Sequence, residues 1–457
     1  MARKTKKAVA LLLTSALAVT ALAGCNGGGE EPVPAPVQTS TPIETKVEKI
    51  DLKAPEVVKY IKDTMASEAK DGRIVLKVWC SSDDMDFEKS RAEEFKTLFG
   101  DSRYELKIGF SEKGEDKAGT AVIENPKKAA DVFSFPDDQL SSLSKNGAIA
   151  SVALYYEGNV KDENTADSLE VSTLNNELKA YPKTSDNGYF LYYDKRVYTD
   201  ESVLDNMDEM IKVAKENGKN VYLELGGPWY TTGFFFTAGC EIKFENGKQT
   251  AKLANEKGLA AARAMCHIAE SQDQGFVGNP GAMGGNAFVA QGFDEGTLAA
   301  AVIGTWCGPA IKKAIGVDNV GAAKLPKVLM DGEYKQLESF GGYKLLGVSV
   351  YSEYPFSAQT LAYFFSSEDS QKARYETRGL LPTNKALGED PEIKKDPAFK
   401  ALEDQKPFAH AQGTSVGSVY WGAGVGDVGG KAVDKHGQRT DEELMEQLQG
   451  IEANMKA

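Results

Sequence analysis

The sequence predicts an α/β fold, and three observations support that prediction. Residues 73–79 form a β-rich apolar run, residues 87–99 repeat apolar side chains at helical spacing, and residues 104–110 alternate as a strand does. The same succession of strand and helix recurs further along the chain, which is typical of layered α/β structure. With 457 residues and 41% apolar content, the chain is long enough for two or three domains with a sizeable core.

The other elements follow from the same periodicities, taken in chain order. A helix over residues 55–70 precedes the first strand, because Val57, Val58, Ile61 and Met65 recur at helical spacing. Further strands are predicted at residues 130–135, 188–193 and 221–225. Further helices are predicted at residues 139–145, 206–216, 256–271, 308–315, 357–366, 370–377 and 442–455.

The amino terminus has the pattern of an export signal followed by a spacer. Four basic residues among the first seven precede an uncharged apolar run, residues 8–23, that is too short to span a bilayer. The run ends in Leu-Ala-Gly-Cys, which resembles a bacterial lipobox. That resemblance implies a signal peptide over residues 1–24 and a lipid, such as palmitate, on Cys25. Residues 25–49 are rich in Gly and Pro, which predicts an extended, disordered spacer.

Charge and residue content exclude several classes of function. The net charge of −14 becomes −18 once the four basic residues of the predicted signal are removed, which disfavours nucleic acid and anionic headgroups. Four cysteines besides Cys25 lack C-x-x-C spacing, and there are only three histidines, so we expect no metal site and no cofactor. The sequence is compatible both with free buried thiols and with a disulfide among these four cysteines.

The four tryptophans all fall at strand ends or in glycine-rich turns. Trp79 ends the first strand, Trp229 follows Gly-Gly-Pro, Trp306 lies in Ile-Gly-Thr-Trp, and Trp421 follows a tyrosine. Loops at the carboxyl ends of strands line the ligand crevice of open α/β sheets. The apolar C–H face of a pyranose ring packs on an aromatic ring, so this distribution favours carbohydrate binding.

Beyond residue 70 the chain resembles the extracellular solute-binding proteins of sugar importers, the group that contains maltose-binding protein. The resemblance rests on the order and spacing of short stretches, among them Ala-Asp-Val-Phe-Ser-Phe-Pro-Asp-Asp at residues 130–138, Gly-Thr-Trp at residues 304–306 and Gly-Leu-Leu-Pro-Thr at residues 379–383. It implies a type II periplasmic-binding-protein fold, in which two lobes joined by hinge strands close over a ligand. Residues 50–71 would form an N-terminal helix, residues 72–184 and 342–381 lobe 1, and residues 185–341 and 382–457 lobe 2.

The resemblance also implies ligand positions, carried over residue by residue. On lobe 1 they are Trp79, Asp83, Phe135 and Asp138, and on lobe 2 they are Trp229, Tyr230, Trp306 and Trp421. Three positions depart from the maltose-binding pattern. Asp84 and Gln139 stand where that pattern has basic residues, and Asn187 stands at an acidic hinge position. A sugar ligand follows from the resemblance, but maltose itself does not.

The sequence therefore predicts a lipid-anchored protein on the extracellular face of the membrane that captures an oligosaccharide and delivers it to an ABC transporter permease. We expect a monomer that is not an enzyme. A polyamine receptor is the alternative among binding proteins, because the chain is strongly acidic. A glycoside hydrolase is the alternative of another class, since paired carboxylates such as Asp83 and Asp138 perform acid and base catalysis on glycosidic bonds.

Overall fold

The computed structural model describes residues 49–245 and 247–456. They belong to one compact unit, residues 47–457. The signal peptide, Cys25 and the spacer predicted from the sequence lie outside the described residues.

Strands and helices are numbered here in chain order. The strands are β1 Arg73–Cys80, β2 Glu105–Glu112, β3 Val132–Pro136, β4 Thr173–Leu174, β5 Glu177–Leu178, β6 Tyr181–Thr184, β7 Phe190–Asp194, β8 Asn220–Tyr222, β9 Glu241–Glu245, β10 Lys248–Lys252, β11 Phe276–Val277, β12 Leu298–Ile303, β13 Val320–Ala323, β14 Lys327–Met330, β15 Glu333–Gln336, β16 Ser339–Gly341, β17 Lys344–Val348 and β18 Ala409–Ala411. The helices are α1 Pro55–Glu68, α2 Met85–Phe99, α3 Glu115–Glu124, α4 Leu140–Lys145, α5 Leu154–Glu163, α6 Ala166–Val171, α7 Met207–Glu216, α8 Pro228–Thr237, α9 Glu256–Ala269, α10 Gly285–Asp294, α11 Gly308–Ile315, α12 Pro355–Ser366, α13 Glu368–Arg378, α14 Lys385–Gly388, α15 Pro391–Lys394, α16 Pro397–Gln405, α17 Gln412–Ser415, α18 Ser418–Trp421, α19 Gly426–Asp434 and α20 Asp441–Asn454.

Two five-stranded sheets organise the chain, and they have the same pattern of strand directions. The first has the order β2-β1-β3-β17-β6 and the second the order β11-β8-β12-β7-β13. In each sheet the first three strands run parallel, whereas the fourth pairs antiparallel with both of its neighbours. We call the first sheet and its packed helices lobe 1, and the second sheet and its helices lobe 2. The predicted two-lobed α/β fold is confirmed.

Each lobe has its own apolar core. In lobe 1, helices α1, α2 and α12 bury Ile61, Phe95 and Leu361 against the sheet. In lobe 2, a larger core surrounds β7, β8 and β12, whose side chains are buried on both faces, as expected of central strands covered by helices. The chain passes from lobe 1 to lobe 2 after β6 and returns at β17. The residue boundaries inferred for the lobes stay a prediction.

The predicted elements agree with the structure to within a few residues, but several elements were not predicted, among them α3, α8, α10 and α19 and the sheet strands β6, β12, β13 and β17. Pro228–Thr237 forms helix α8, although the sequence suggested only a glycine-rich turn around Trp229. This helix is apolar on nearly every side because it is buried in the core of lobe 2, so it has no amphipathic period to reveal it. The four cysteines of the described part, Cys80, Cys240, Cys266 and Cys307, are all free thiols.

A buried ionic cluster holds the cleft-facing side of lobe 1 together. The ammonium of Lys183, on β6, lies 3.1 Å from Asp84, 3.5 Å from Glu88 and 3.1 Å from Glu115. All four side chains are buried. Burial alone would lower the pKa of Lys183, but the three carboxylates raise it above its usual value. One charge on β6 therefore fixes the turn after β1 together with α2 and α3.

Three further cations complete this cluster. Lys344 Nζ, on β17, lies 2.6 Å from Glu115, and Arg378 Nε lies 3.1 Å from Asp84. Arg374 Nη2 lies 3.3 Å from Glu88 Oε1. The pKa of Glu115 would rise through burial, yet Lys344 and Lys183 lower it below its usual range. The cations near the cleft are thus already engaged by buried carboxylates.

Replacing Lys183 should destabilise the protein. Lys183→Met removes the cation that the three buried carboxylates share, while each keeps one other cationic partner, so we expect the free energy of unfolding to fall by about 1 to 3 kcal/mol. Lys179→Met is the matched control, because Lys179 pairs with the exposed Glu177 nearby on the same segment and should contribute less than about 1 kcal/mol. Equal losses for both variants in denaturant titrations would contradict the role of the cluster.

Candidate functional site

A cleft of about 1020 Å³ is lined by both lobes. Its lobe 1 wall comes from the turns after β1 and β3, from α3 and from β17. Its lobe 2 wall comes from the start of α8, from the start of α10, from the turn after β12 and from the α17–α18 region. The carboxyl ends of parallel strands meet at one edge of a sheet, which is where open α/β sheets bind ligands. Six of the eight predicted ligand residues line this cleft: Asp83, Asp138, Trp229, Tyr230, Trp306 and Trp421.

Trp229 and Trp306 form one aromatic corner of the lobe 2 wall. Their ring centroids are 5.7 Å apart. Trp229 Nε1 donates to Gln412 Oε1 at 3.3 Å, and Trp306 Nε1 donates to Asn286 Oδ1 at 3.0 Å. A Cβ at Gly304 would lie only 2.0 Å from the Trp306 ring, so the Gly-Thr-Trp turn requires its glycine. Both indoles are therefore held at their nitrogen edges while they line the cleft.

Tyr230 and Trp421 complete the aromatic wall. Tyr230 is largely buried and packs against Tyr189, with ring centroids 4.8 Å apart. Trp421 ends α18 and lies against Phe340, with centroids 5.7 Å apart. Every aromatic ring of the predicted set that reaches the cleft therefore belongs to lobe 2.

Two predicted aromatic contacts on lobe 1 do not reach the cleft. Phe135 is fully buried in β3, a strand with no exposed residue, and its ring lies 5.6 Å from that of Phe133. Trp79 packs against the same core cluster, and Lys113 Nζ lies 5.3 Å from its ring centroid. These placements favour packing by Phe135 and Trp79 over contact with a ligand.

The lobe 1 wall instead presents carboxylates. Asp83 is exposed in the turn after β1, and Asp138 is half-buried in the turn after β3. Oδ1 of Asp138 and Oδ1 of the neighbouring Asp137 are both buried without a hydrogen-bond partner among the described residues. Gln412 and Trp421, from lobe 2, lie beside the Asp138 carboxyl.

Burial shifts both neighbouring carboxyls toward the neutral form. The pKa of Asp137 rises to about 8 through burial and then through the charge of Asp138. The pKa of Asp138 rises to about 7 through burial, against the opposing effect of Gln412 and Trp421. The two groups act as a coupled pair that carries less than two full charges at neutral pH.

The three positions that depart from the maltose-binding pattern have internal roles here. Asp84 belongs to the buried ionic cluster, and Gln139 bonds the backbone of α3, where its Oε1 accepts from Gly119 N at 2.7 Å. Asn187 Nδ2 donates to Gln412 Oε1 at 3.3 Å. The adjacent hinge residue Asp186 is buried as well, and its Oδ2 accepts from Thr305 Oγ1 at 2.5 Å.

Among the cleft residues that the sequence analysis missed, three contact the tryptophans of the aromatic wall. Gln412 and Asn286 fix the indoles of Trp229 and Trp306, and Lys344 places its Nζ 5.5 Å from the Trp306 ring centroid. None lies in a recognisable motif. Each is far from its partner in sequence, so only the fold could identify it.

Fold and cleft together define a two-lobed α/β binding protein, and comparisons with known proteins specify its family. Residues 90–401 match the bacterial extracellular solute-binding proteins. That match covers more than half of the chain, which therefore belongs to this family.

Individual relatives bind saccharides. The galactooligosaccharide-binding protein of Bacillus subtilis (strain 168) is 28% identical over 287 residues, which are 61% of this chain and 66% of that protein, just under two thirds of its length. A structure solved with acarbose is 28% identical, with a TM-score of 0.71 over 84% of this chain and 99% of that chain. The Thermus thermophilus maltotriose-binding protein bound with maltotriose has the same fold, at 20% identity, a TM-score of 0.69, and coverage of 83% and 99%.

The buried carboxyl pair predicts how stability depends on pH. A carboxyl whose folded pKa lies above its unfolded value favours the folded state at low pH, and that contribution is lost as pH rises through the folded pKa. For Asp137 the loss spans pH 4 to about 8, so we expect the melting temperature to fall over this range. Asp137→Asn should flatten that slope.

A second variant separates the contribution of Asp137 from that of His267. The pKa of His267 is raised by its hydrogen bond to Asp208, which acts in the same direction within this window. His267→Gln should remove only the contribution of His267 to the pH dependence of the melting temperature, and the contribution of Asp137 should remain. Melting curves of Asp137→Asn that keep the wild-type pH slope would contradict the burial of an unpaired carboxyl here.

Proposed function

We propose that this chain captures an oligosaccharide outside the cell by lobe closure and delivers it to the permease of an ABC transporter. One observation carries the proposal: the cleft has an aromatic wall on lobe 2 and a carboxylate wall on lobe 1. The saccharide ligands named for the relatives support it, and a maltodextrin-like or galactose-containing chain is the expected ligand class.

Each wall suits a different part of a sugar. The C–H face of a pyranose packs on an indole, so Trp306, Trp229 and Trp421 would supply stacking surfaces. The ring hydroxyls project from the edge and donate to carboxylates, so Asp83 and Asp138 would accept from them. Because the two walls belong to different lobes, a ligand contacts both only when the lobes close.

The mature protein would be tethered and non-catalytic. The lipobox-like sequence around Cys25 supports a lipid anchor at the outer face of the membrane, where a captured solute meets the permease. No helix within residues 49–245 and 247–456 is long and apolar enough to cross a membrane. The relatives are binding proteins, which supports binding without turnover. We expect the receptor to be a monomer.

A polyamine receptor is the second candidate, favoured by the acidic lobe 1 wall. Calorimetry of the purified mature protein against maltotriose, galactotriose and spermidine, followed by chromatography of each saccharide, separates the candidates. Tight saccharide binding with intact saccharide recovered supports the proposal. Binding of spermidine alone would favour the polyamine receptor, and shortened saccharide would reveal a hydrolase.

Replacing Trp306 tests the stacking surface. If Trp306 stacks on a sugar ring, Trp306→Ala should weaken saccharide binding by about 2 kcal/mol or more, the scale of a binding hot spot. That is about a thirtyfold loss of affinity. The melting temperature should change little, because the indole lines the cleft and is only partly buried.

Trp79→Ala is the matched control for that measurement. Trp79 packs against the lobe 1 core and is not among the residues that line the cleft, so its loss should lower the melting temperature while saccharide affinity is retained. A Trp306→Ala protein that melts much earlier but binds saccharide normally would overturn the site assignment.

The anchor is tested by Cys25→Ala in the full-length chain. Without a thiol to carry lipid, the protein should move from the membrane fraction to the soluble fraction of expressing cells, since a single lipidated terminus is its only proposed tether. Cys240→Ala is the control, because that thiol lies within the folded part and should leave fractionation unchanged. Detergent-sensitive membrane association of Cys25→Ala would exclude the anchor.

A further inference from the structure

One buried carboxylate joins the hinge to the turn that carries Trp306. Asp186 lies in the segment that leads from β6, on lobe 1, to β7, on lobe 2, and it is 1% exposed. Its Oδ2 accepts from Thr305 Oγ1 at 2.5 Å and from Leu381 N at 2.9 Å. Thr305 directly precedes Trp306 and is fully buried. A side chain of the hinge therefore anchors the turn of this indole.

The same hinge segment is bonded to two other segments that connect the lobes. The chain returns to lobe 1 between β16 and β17, and it leaves lobe 1 again between α13 and α16. Ser185 N donates to Leu381 O at 2.9 Å, and Asn187 N donates to Gly342 O at 3.2 Å. Asp186 therefore lies at the point where the three connecting segments are bonded together.

Two hydrogen bonds hold Trp306 in different frames. Its Nε1 donates to Asn286 on α10, which fixes the indole within lobe 2. The charge-assisted bond from Thr305 to Asp186 fixes it relative to the segments that join the lobes. The ring already lies close to the lobe 1 wall, since Lys344 Nζ is 5.5 Å from its centroid. Binding groups need to be held to within about 0.5 Å by such supporting bonds.

We propose that Asp186 is a positioning residue for saccharide binding, which sets the position of the Trp306 ring relative to the lobe 1 wall through its bond with Thr305. The proposal rests on the oligosaccharide function proposed above. Asp186 and Thr305 are not among the described residues that line the cleft, so they act through Trp306 without touching the saccharide. Breaking their bond should therefore weaken binding only while the Trp306 ring is present.

A double-mutant cycle on saccharide affinity tests this role. Thr305 is the residue to replace, because Asp186 also bonds the hinge backbone. Thr305→Val removes the hydroxyl and nearly keeps the shape, so we expect about tenfold weaker binding of maltotriose or galactotriose, whichever the wild type binds more tightly. Thr305→Ser restores a hydroxyl and should bind within about threefold of the wild type.

The combination with Trp306→Ala gives the decisive comparison. Trp306→Ala alone should lose about thirtyfold, and adding Thr305→Val should cost less than about threefold more, because no ring remains to be positioned. Independent effects would instead multiply to about three hundredfold. A multiplicative result would overturn the proposal, as would unchanged binding by Thr305→Val.

Thr360→Val separates positioning from a loss of stability. Thr360 is fully buried in lobe 1, where its Oγ1 donates to Phe356 O at 2.8 Å and lies 2.8 Å from Tyr156 Oη. Its replacement should lower the melting temperature about as much as Thr305→Val does, while saccharide affinity is kept. If both variants weaken binding equally, the effect at Thr305 is general destabilisation and the proposal fails.

A ligand-free measurement distinguishes failure of this inference from failure of the proposed function. Fluorine NMR of the mature protein labelled with 5-fluorotryptophan reports on its four tryptophans, and Trp306→Phe identifies the Trp306 signal. Thr305→Val should shift that signal and leave the Trp79 signal in place. A shift without saccharide binding supports the positioning of Trp306 and contradicts only the proposed function. Saccharide binding without a shift overturns this inference and leaves the proposed function intact.

Discussion

The ion cluster centred on Lys183 is the interaction on which the lobe 1 wall depends. Three buried carboxylates, two at the start of α2 and one at the start of α3, lie within 3.5 Å of its ammonium. Buried charges of one sign repel strongly at low dielectric, and Lys183 is the cation that all three carboxylates share. The same cluster engages Lys344 and Arg378, which leaves the rest of the lobe 1 wall acidic.

The repeated sheet pattern explains why the two walls face each other. β1 and β3 hold the same places in the first sheet as β8 and β12 hold in the second. The segments that follow these four strands supply Asp83, Asp138, Trp229 and Trp306: three lie in the turns directly after their strands, and Trp229 lies in the first turn of α8. A cleft between two such edges follows from the topology, whereas its chemistry is set by which side chains occupy the turns.

Among the elements of the described residues, local pattern predicted nine helices and five strands, including β1, β3, β7 and β8 of the two sheets. It also located segments that line the cleft. The prediction from pattern failed where a strand is buried on both faces, because such a strand does not alternate between apolar and polar residues. All five residues of β3 are buried, so alternation could not indicate that Phe135 faces the core. The ionic cluster was beyond prediction for another reason. Lys183 and Asp84 are 99 residues apart, and nothing in either segment reveals the other. In the sequence, Asp84 therefore stands out only as a ligand position that departs from the maltose-binding pattern, although its carboxylate belongs to the buried ionic cluster of lobe 1.

The division of chemistry between the lobes has a consequence for closure. Stacking surfaces lie on lobe 2 and unpaired acceptors on lobe 1, so in the open protein a saccharide could satisfy only one kind of contact. A ligand shifts a conformational equilibrium only by the difference in its affinity for the two states. Separating the two kinds of contact onto different lobes makes that difference large, because the second set forms only on closing. A solute that only stacks on the lobe 2 indoles, or only donates hydrogen bonds to the lobe 1 carboxylates, would bind without closing the lobes. Closure therefore discriminates between ligands in addition to the binding step itself.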